Sequence, residues 1–355
     1  MRVLFDAFWW DDGPIANRTV QREFIHAWQR VFPEDEAVLA IRRDAVGAGI
    51  PSSASVVRTR LWPHALANRL ELPRLAKQVS ADAMVVHNYT PRRGASLTFV
   101  HDAMFVDHPE WFSFAERQYF RPMLPWSRDA TVVATSTRTE ARRIGRLRSS
   151  REEPIATGLG VPPALTHAIP RRPSAMPEVD AFAVTVGRLN VRKNLARILE
   201  AAAVSSRITP RTPLVVVGTT AHSGVNIEFA PAVREAIDDG RVVLLGGVDD
   251  DELAWLYGAT ALAISLSLDE GFGMPATEAA HFDAPLLASD IPVFRETVGD
   301  FARFVGPHAS PIEIANQIDA AWGVPSDGSD VRARYSWDAA VTVMRDALAE
   351  RVLSE

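Results

Sequence analysis

Two glutamates with seven residues between them, Glu270 and Glu278, frame the turn Glu-Gly-Phe-Gly-Met-Pro in the stretch from Ser265 to Ala280. The apolar run Ala261–Ile264 before them reads as a short buried strand. Pro275 then starts a helix that carries Glu278, because a proline at the first helical position gives up an N–H that has no helical partner anyway. Gly271 and Gly273 let the backbone approach a ligand closely, and the free N–H groups of a helix start favour an anion or a hydroxyl. Eight helical steps of about 1.5 Å put the carboxylates at least roughly 12 Å apart. The two carboxyls of a retaining glycosidase sit about 5 Å apart. Acid and nucleophile for one bond therefore do not fit, and two acceptors gripping separate parts of one hydroxyl-rich ligand do. The plainer alternative is a strand, loop and helix with a surface glutamate.

A second group is cationic. Gly187-Arg188-Leu189-Asn190-Val191-Arg192-Lys193-Asn194 follows a strand and enters a helix. Cations in a loop at a helix start suit a diphosphate, by point charge and dipole together. A solvated basic turn is the alternative. Against it, Lys193 is one of only two lysines, with Lys77, in a chain whose other basic residues are all Arg. Asp249-Asp250-Asp251 precedes a helix and reads as its N-cap rather than as a metal-binding pair, and no metal is expected.

These groups need a scaffold that brings loops together. Short apolar runs alternate with helical patterns along the chain, which is the rhythm of parallel sheets. Strands are predicted at Arg2–Phe5, Val38–Ile41, Ser55–Thr59, Ala83–Val86, Leu97–Val100 and Thr131–Ala134, with a helix from about Ile15 to Val31. A second series runs through Ala181–Val186, Leu214–Val217, Val242–Leu245, Ala261–Ile264 and Pro285–Ala288. His87-Asn88-Tyr89, His101-Asp102 and Ser136 come just after strands, at the edge where parallel α/β sheets bind ligands. The Pro-rich stretch from Gly158 to Val179 reads as an interdomain linker, and Ser336 to Leu353 as a closing helix. At 355 residues and 47% hydrophobic content the chain accommodates two doubly wound α/β domains around a cleft. With no cysteine there is no disulfide and no thiolate catalysis, and a cytoplasmic protein fits. Asp6 interrupts any signal-peptide core, and there is no apolar run of membrane-spanning length.

The complete E-x7-E pattern with its embedded Gly-Phe-Gly-x-Pro, and the Gly-Arg-x-x-x-x-Lys-Asn element before it, resemble the retaining GT-B glycosyltransferases of family 4, group 1. That family includes sucrose synthase and bacterial mannosyltransferases. The resemblance is dense over 181–310 and thinner over 1–165. It implies an N-terminal acceptor-binding Rossmann-like domain over 1–165 and a nucleotide-sugar donor domain over 166–335, facing a central cleft. The tail, about 336–355, would return to the first domain. It further implies that Arg188 and Lys193 hold the donor diphosphate, Glu278 the ribose hydroxyls and Glu270 the donor sugar. Gly187, Gly271, Phe272 and Gly273 would complete that site. His101 matches the family's histidine near the sugar, and Gly13 its first-loop glycine near the diphosphate. Gly13-Pro14 departs from the commoner Gly-Gly or Gly-Ile pair, and Trp9-Trp10 adds bulk there.

Charge is uneven: residues 1–165 carry +4 and the rest −10. Six arginines, from Arg138 to Arg151, fall within 14 residues, and Arg138, Arg142 and Arg146 share one helical face. That face is either simply solvated or a footprint for anionic lipid or a lipid-diphosphate acceptor. Nucleic acid is disfavoured by the acidic balance and by the lack of a stacking motif. The expectation is thus a metal-independent retaining hexosyltransferase, passing sugar from a nucleotide-diphosphate donor to a glycan or lipid-linked glycan in bacterial surface polysaccharide assembly. A GT-B nucleotide-sugar epimerase and a non-catalytic sugar-nucleotide-binding subunit are the rivals.

Overall fold

The structure is a computed structural model that describes residues 1–148, 153–187, 190–218 and 230–352. It divides into two compact units: Met1–Gly160 together with the tail from Tyr335, and Val161–Arg334.

The first unit holds a seven-stranded parallel sheet: β1 (Arg2–Asp6), β2 (Glu36–Arg42), β3 (Ser55–Thr59), β4 (Ala83–His87), β5 (Ser96–Phe99), β6 (Val132–Thr135) and β7 (Ile155–Ala156). Their order is β3-β2-β1-β4-β5-β6-β7. Val3 lies opposite Ala83 and Phe5 opposite Val85, so Asp6 and His87 end neighbouring strands. The chain winds outward in opposite directions from β1 and β4, and the crevice at such a reversal is where α/β sheets take ligands. β4 and β5 are buried along their whole length, as strands covered on both faces are. The helix Ile15–Val31 buries Val20, Phe24, Ala27 and Trp28, one face at helical spacing. The tail helix Trp337–Val352 packs on this unit through Trp337, Val341, Met344 and Leu348. Arg345 donates to Asp35 at 3.0 Å, Asp35 also takes the chain's amino terminus at 2.6 Å, and Arg30 pairs with Asp338.

The second unit has six parallel strands: β8 (Ala183–Val186), β9 (Leu214–Val217), β10 (Val242–Gly246), β11 (Leu262–Ser265), β12 (Leu286–Ser289) and β13 (Ala302–Val305). Their order, β10-β9-β8-β11-β12-β13, reverses between β8 and β11. The Pro-rich stretch is not a loose linker. The chain enters this unit after Gly160, forms the short helix Pro163–Thr166, and buries Leu165 and Met176 beside Phe182 and Tyr257. Those apolar side chains have a core to join, and joining it fixes the segment.

Candidate active site

In the second unit both chemical loops leave the sheet at the reversal: the basic one follows β8 and the acidic one follows β11. Asn190 shapes the basic loop by accepting from the Lys193 backbone N–H at 3.0 Å, which closes a short turn over Val191–Lys193. Leu268 N–H then donates to the Arg192 carbonyl at 2.8 Å and ties the two loops together. Gly187 matters for space: a Cβ there would stand 3.3 Å from Lys193 Cε, so a larger residue would crowd the lysine stem. Gly273 is fixed by conformation and by contact. Its φ is +88°, and a Cβ would come within 2.4 Å of Phe294 Cε1. Only glycine turns the chain there into the helix Met274–His281.

Glu270 is buried, and both carboxylate oxygens are engaged. Oε1 accepts from Lys193 Nζ at 2.5 Å and from Ser267 Oγ at 2.7 Å, while Oε2 accepts from Arg192 at 3.1 Å. Burial pushes this carboxyl up, but the Arg192 and Lys193 charges and the hydrogen bonds from Lys193 and Ser267 outweigh it and hold it down at about 2. A small hollow opens here, lined by Thr185, Gly187, Lys193, Ser265 and Ser267.

Glu278 has the opposite environment. Burial raises its carboxyl to about 7, a rise that the Tyr257 hydrogen bond and the Lys193 charge only partly offset. The Tyr257 hydroxyl donates to Glu278 Oε2 at 2.9 Å. Burial, and then the neighbouring Glu278 charge, push that phenol well above its ordinary range, so it stays a donor.

In the first unit Asp6 and His87 stand at the other reversal. Asp6 Oδ2 accepts from Asn68 at 2.9 Å and from the His87 backbone N–H at 3.1 Å, and pairs with His64 Nε2 at 2.8 Å. Burial would raise the Asp6 carboxyl, but its partners His64, His87 and Asn68 overcome that and keep it well below the ordinary range. His87 Nδ1 lies 3.2 Å from His101 Nε2, and the His101 backbone N–H donates to Asn88 Oδ1 at 3.2 Å. Burial lowers His87 to about 4 and His101 well below its usual value, which favours neutral rings, and in a neutral pair one ring's N–H can donate to the other's lone pair.

The structure thus gathers Gly187, Lys193, Glu270 and Gly273, with Gly271 and Phe272 buried in the same turn. Arg188 lies outside the described residues. Arg192, which shares the grip on Glu270, carries no role in the sequence reading, because only the first and last cations of the loop match the family element. Gly13 sits in the exposed turn before the helix Ile15–Val31, against the Trp9 ring. Asp249 accepts from the Glu252 backbone N–H at 2.9 Å and caps the helix Asp250–Ala259. In the arginine run, Arg138, Arg142 and Arg146 are exposed. Arg143 pairs with Glu140 and Asp107, and buried Arg148 donates to the Ser127 carbonyl at 2.9 Å; Arg151 lies outside the described residues.

Residues 169–325 match the family model described as Glycosyl transferases group 1. The matched span lies within the second unit. Its Lys193, Glu270 and Glu278 all lie inside the matched span. A curated relative, O-antigen chain mannosyltransferase B of Escherichia coli, is 26% identical over 235 residues, 62% of this chain and 60% of that protein. The chain therefore spans less than two thirds of that relative's length. Two solved structures show that the fold is GT-B. Sucrose-phosphate synthase from Thermosynechococcus elongatus matches with a TM-score of 0.71 at 17% identity, covering 100% of both chains. HepE of Anabaena, in complex with UDP and glucose, matches with a TM-score of 0.67 at 16% identity, covering 99% of this chain and 100% of its own.

Proposed function

We propose that the protein is a retaining mannosyltransferase that takes the sugar from a nucleotide-diphosphate donor, without a metal, and passes it to a glycan or lipid-linked glycan in bacterial surface polysaccharide assembly. The observation that carries this reading is the Lys193–Glu270–Arg192 cluster at the β8/β11 reversal, inside the group 1 match and beside Glu278. Two cations and one carboxylate leave a net positive charge where a diphosphate would enter. Departure of a nucleoside diphosphate concentrates negative charge on phosphate oxygens, and oriented cations in a closed site stabilise that change most. The O-antigen mannosyltransferase relative supports the sugar and the pathway class.

In this reading Lys193 and Arg192, with Arg188, meet the diphosphate. A diphosphate competes with Glu270 for Lys193, and the carboxylate oxygen so released accepts from hydroxyls of the donor sugar. Glu278 accepts from the ribose through Oε1, while Tyr257 holds Oε2. His101, kept neutral by burial, faces the sugar as a hydrogen-bonding group rather than as a charge. Retention follows front-face attack, with the donor phosphate taking the acceptor's proton. The absence of cysteine supports a reducing, cytoplasmic location. The exposed Arg138, Arg142 and Arg146 support peripheral contact with anionic membrane.

Calorimetry with GDP and UDP, followed by a transfer assay with GDP-mannose in the presence and absence of EDTA, tests this. Binding of one diphosphate, with EDTA-insensitive transfer that gives an α-linked product, is expected. Binding of neither would refute it.

A further inference from the structure

Of the nine tryptophans, all among the described residues, Trp62 alone is exposed, at 62%. It is nonetheless held in place. Phe8 lies 5.5 Å from it at a tilt of 33°, Trp9 meets it edge-on at 6.0 Å, and the Arg42 guanidinium stands 5.8 Å from its ring centre. Phe8 itself is buried, lies two residues past the end of β1 and packs 4.9 Å from His64, the partner of Asp6. The ring is therefore fixed over the carboxyl end of β1, beside the reversal where this sheet would take a ligand.

The rim of the ring is polar. Arg42 is anchored by Asp12 Oδ2 at 2.7 Å and by Asp44 Oδ1 at 3.1 Å. Both aspartates are exposed, and neither Asp12 Oδ1 nor Asp44 Oδ2 has a partner among the described residues. A rigid indole face beside carboxylate oxygens that can still accept suits a ring with an apolar C–H face and hydroxyls around its edge. That describes a pyranose. An acyl chain would leave the carboxylates unanswered, and an anionic headgroup would be repelled by them.

We infer that Trp62, with Asp12, Asp44 and Arg42, forms a subsite for a neutral pyranose of the glycan acceptor. The inference rests on the transferase reading, and the experiment separates the two. Protein labelled with 5-fluorotryptophan gives one fluorine resonance per tryptophan, and Trp62→Phe assigns the one of interest. The probes are α-mannotriose, maltotriose and chitotriose, with GDP and UDP titrated in parallel.

A saturable shift of the Trp62 resonance with one trisaccharide is expected. Trp62→Ala should weaken that trisaccharide about tenfold, Trp62→Phe by less, and both should bind the nucleoside diphosphate as the wild type does. Trisaccharide binding that leaves the Trp62 resonance in place would overturn the subsite. So would nucleoside diphosphate binding with no response to any of the three sugars, or a Trp62 shift produced by phosphatidylglycerol vesicles instead of sugar. A Trp62 response to sugar in a chain that binds neither GDP nor UDP would uphold the subsite and overturn the transferase reading.

Discussion

Replacing Glu278 by glutamine should stabilise the unliganded protein at alkaline pH while weakening its hold on nucleotide. The carboxyl is raised from 4.5 to about 7, chiefly by burial. Its protonated form is the one the fold prefers, so its contribution to stability is fully present below pH 4.5 and is lost as pH rises through about 7. The difference is worth on the order of 3 kcal/mol at most, and water reaching a partly exposed side chain brings the measurable value to about 1–3 kcal/mol. Glutamine copies the neutral acid in shape and still accepts from Tyr257, so it escapes this loss. Thermal melts of wild type and Glu278→Gln at pH 5 and pH 8.5 are the assay. The two proteins should melt nearly together at pH 5, and the variant should lead by about 3–10 °C at pH 8.5. In calorimetry at pH 8.5 the same variant should bind nucleoside diphosphate about tenfold or more weakly, since an amide NH2 cannot accept from a hydroxyl. A variant equally destabilised at both pH values would show that Glu278 is held as a carboxylate and that the burial argument is wrong.

Lys193→Ala should weaken nucleoside diphosphate binding about 10- to 100-fold and monophosphate binding far less, since a charge-assisted contact is worth about 1.5–3 kcal/mol. Equal losses in calorimetry would remove the lysine from the diphosphate. Gly273→Ala should cost about 2–4 kcal/mol, because the new Cβ meets Phe294 and the φ of +88° suits no other residue; urea unfolding of the second unit would show it. Reversing Arg142 and Arg146 to Glu should abolish sedimentation with anionic liposomes and leave donor hydrolysis intact, whereas unchanged sedimentation would leave that helix face merely solvated.

The apolar runs were sufficient to place most strands, because a strand buried on both faces has little freedom in composition. β7 and β13 escaped for the converse reason. The first is only Ile155–Ala156, and the second, Ala302–Val305, carries Arg303 and is only partly buried. The Pro-rich stretch misled because proline density says where helices stop, not whether Leu165 and Met176 have a core to enter. The Asp6 cluster was invisible to any local pattern. His64, Asn68 and His87 lie 58, 62 and 81 residues from the aspartate; the pairing of β1 with β4 brings His87 to it, and the helical turns over His64–Leu66 and Ala67–Glu71 bring the other two. His101 was legible as a strand-end histidine, but its neighbour His87 was legible only as one more polar group at a sheet edge.

The two glutamates show what spacing can and cannot convey. Seven intervening residues read as two separate grips; within the protein, Glu270 meets Ser267 and Arg192, and Glu278 meets Tyr257. What spacing concealed is that both feel the charge of Lys193. Arg192 and that lysine together hold Glu270 down at about 2, while the lysine only tempers Glu278, whose burial lifts it to about 7. A pair of carboxyls pushed apart in this way is matched to different tasks. In the proposed reading, Glu270 is the anion that a diphosphate displaces from its cation. In the same reading, Glu278 is an acceptor whose grip should strengthen as the solution turns alkaline. Removing the lysine should therefore disturb both, raising Glu278 further while stranding Glu270 with Arg192 and Ser267. Nucleoside diphosphate affinity followed against pH in Lys193→Ala would show this as a midpoint moved above that of the wild type. A profile that falls in size without moving its midpoint would mean that the lysine serves Glu270 alone.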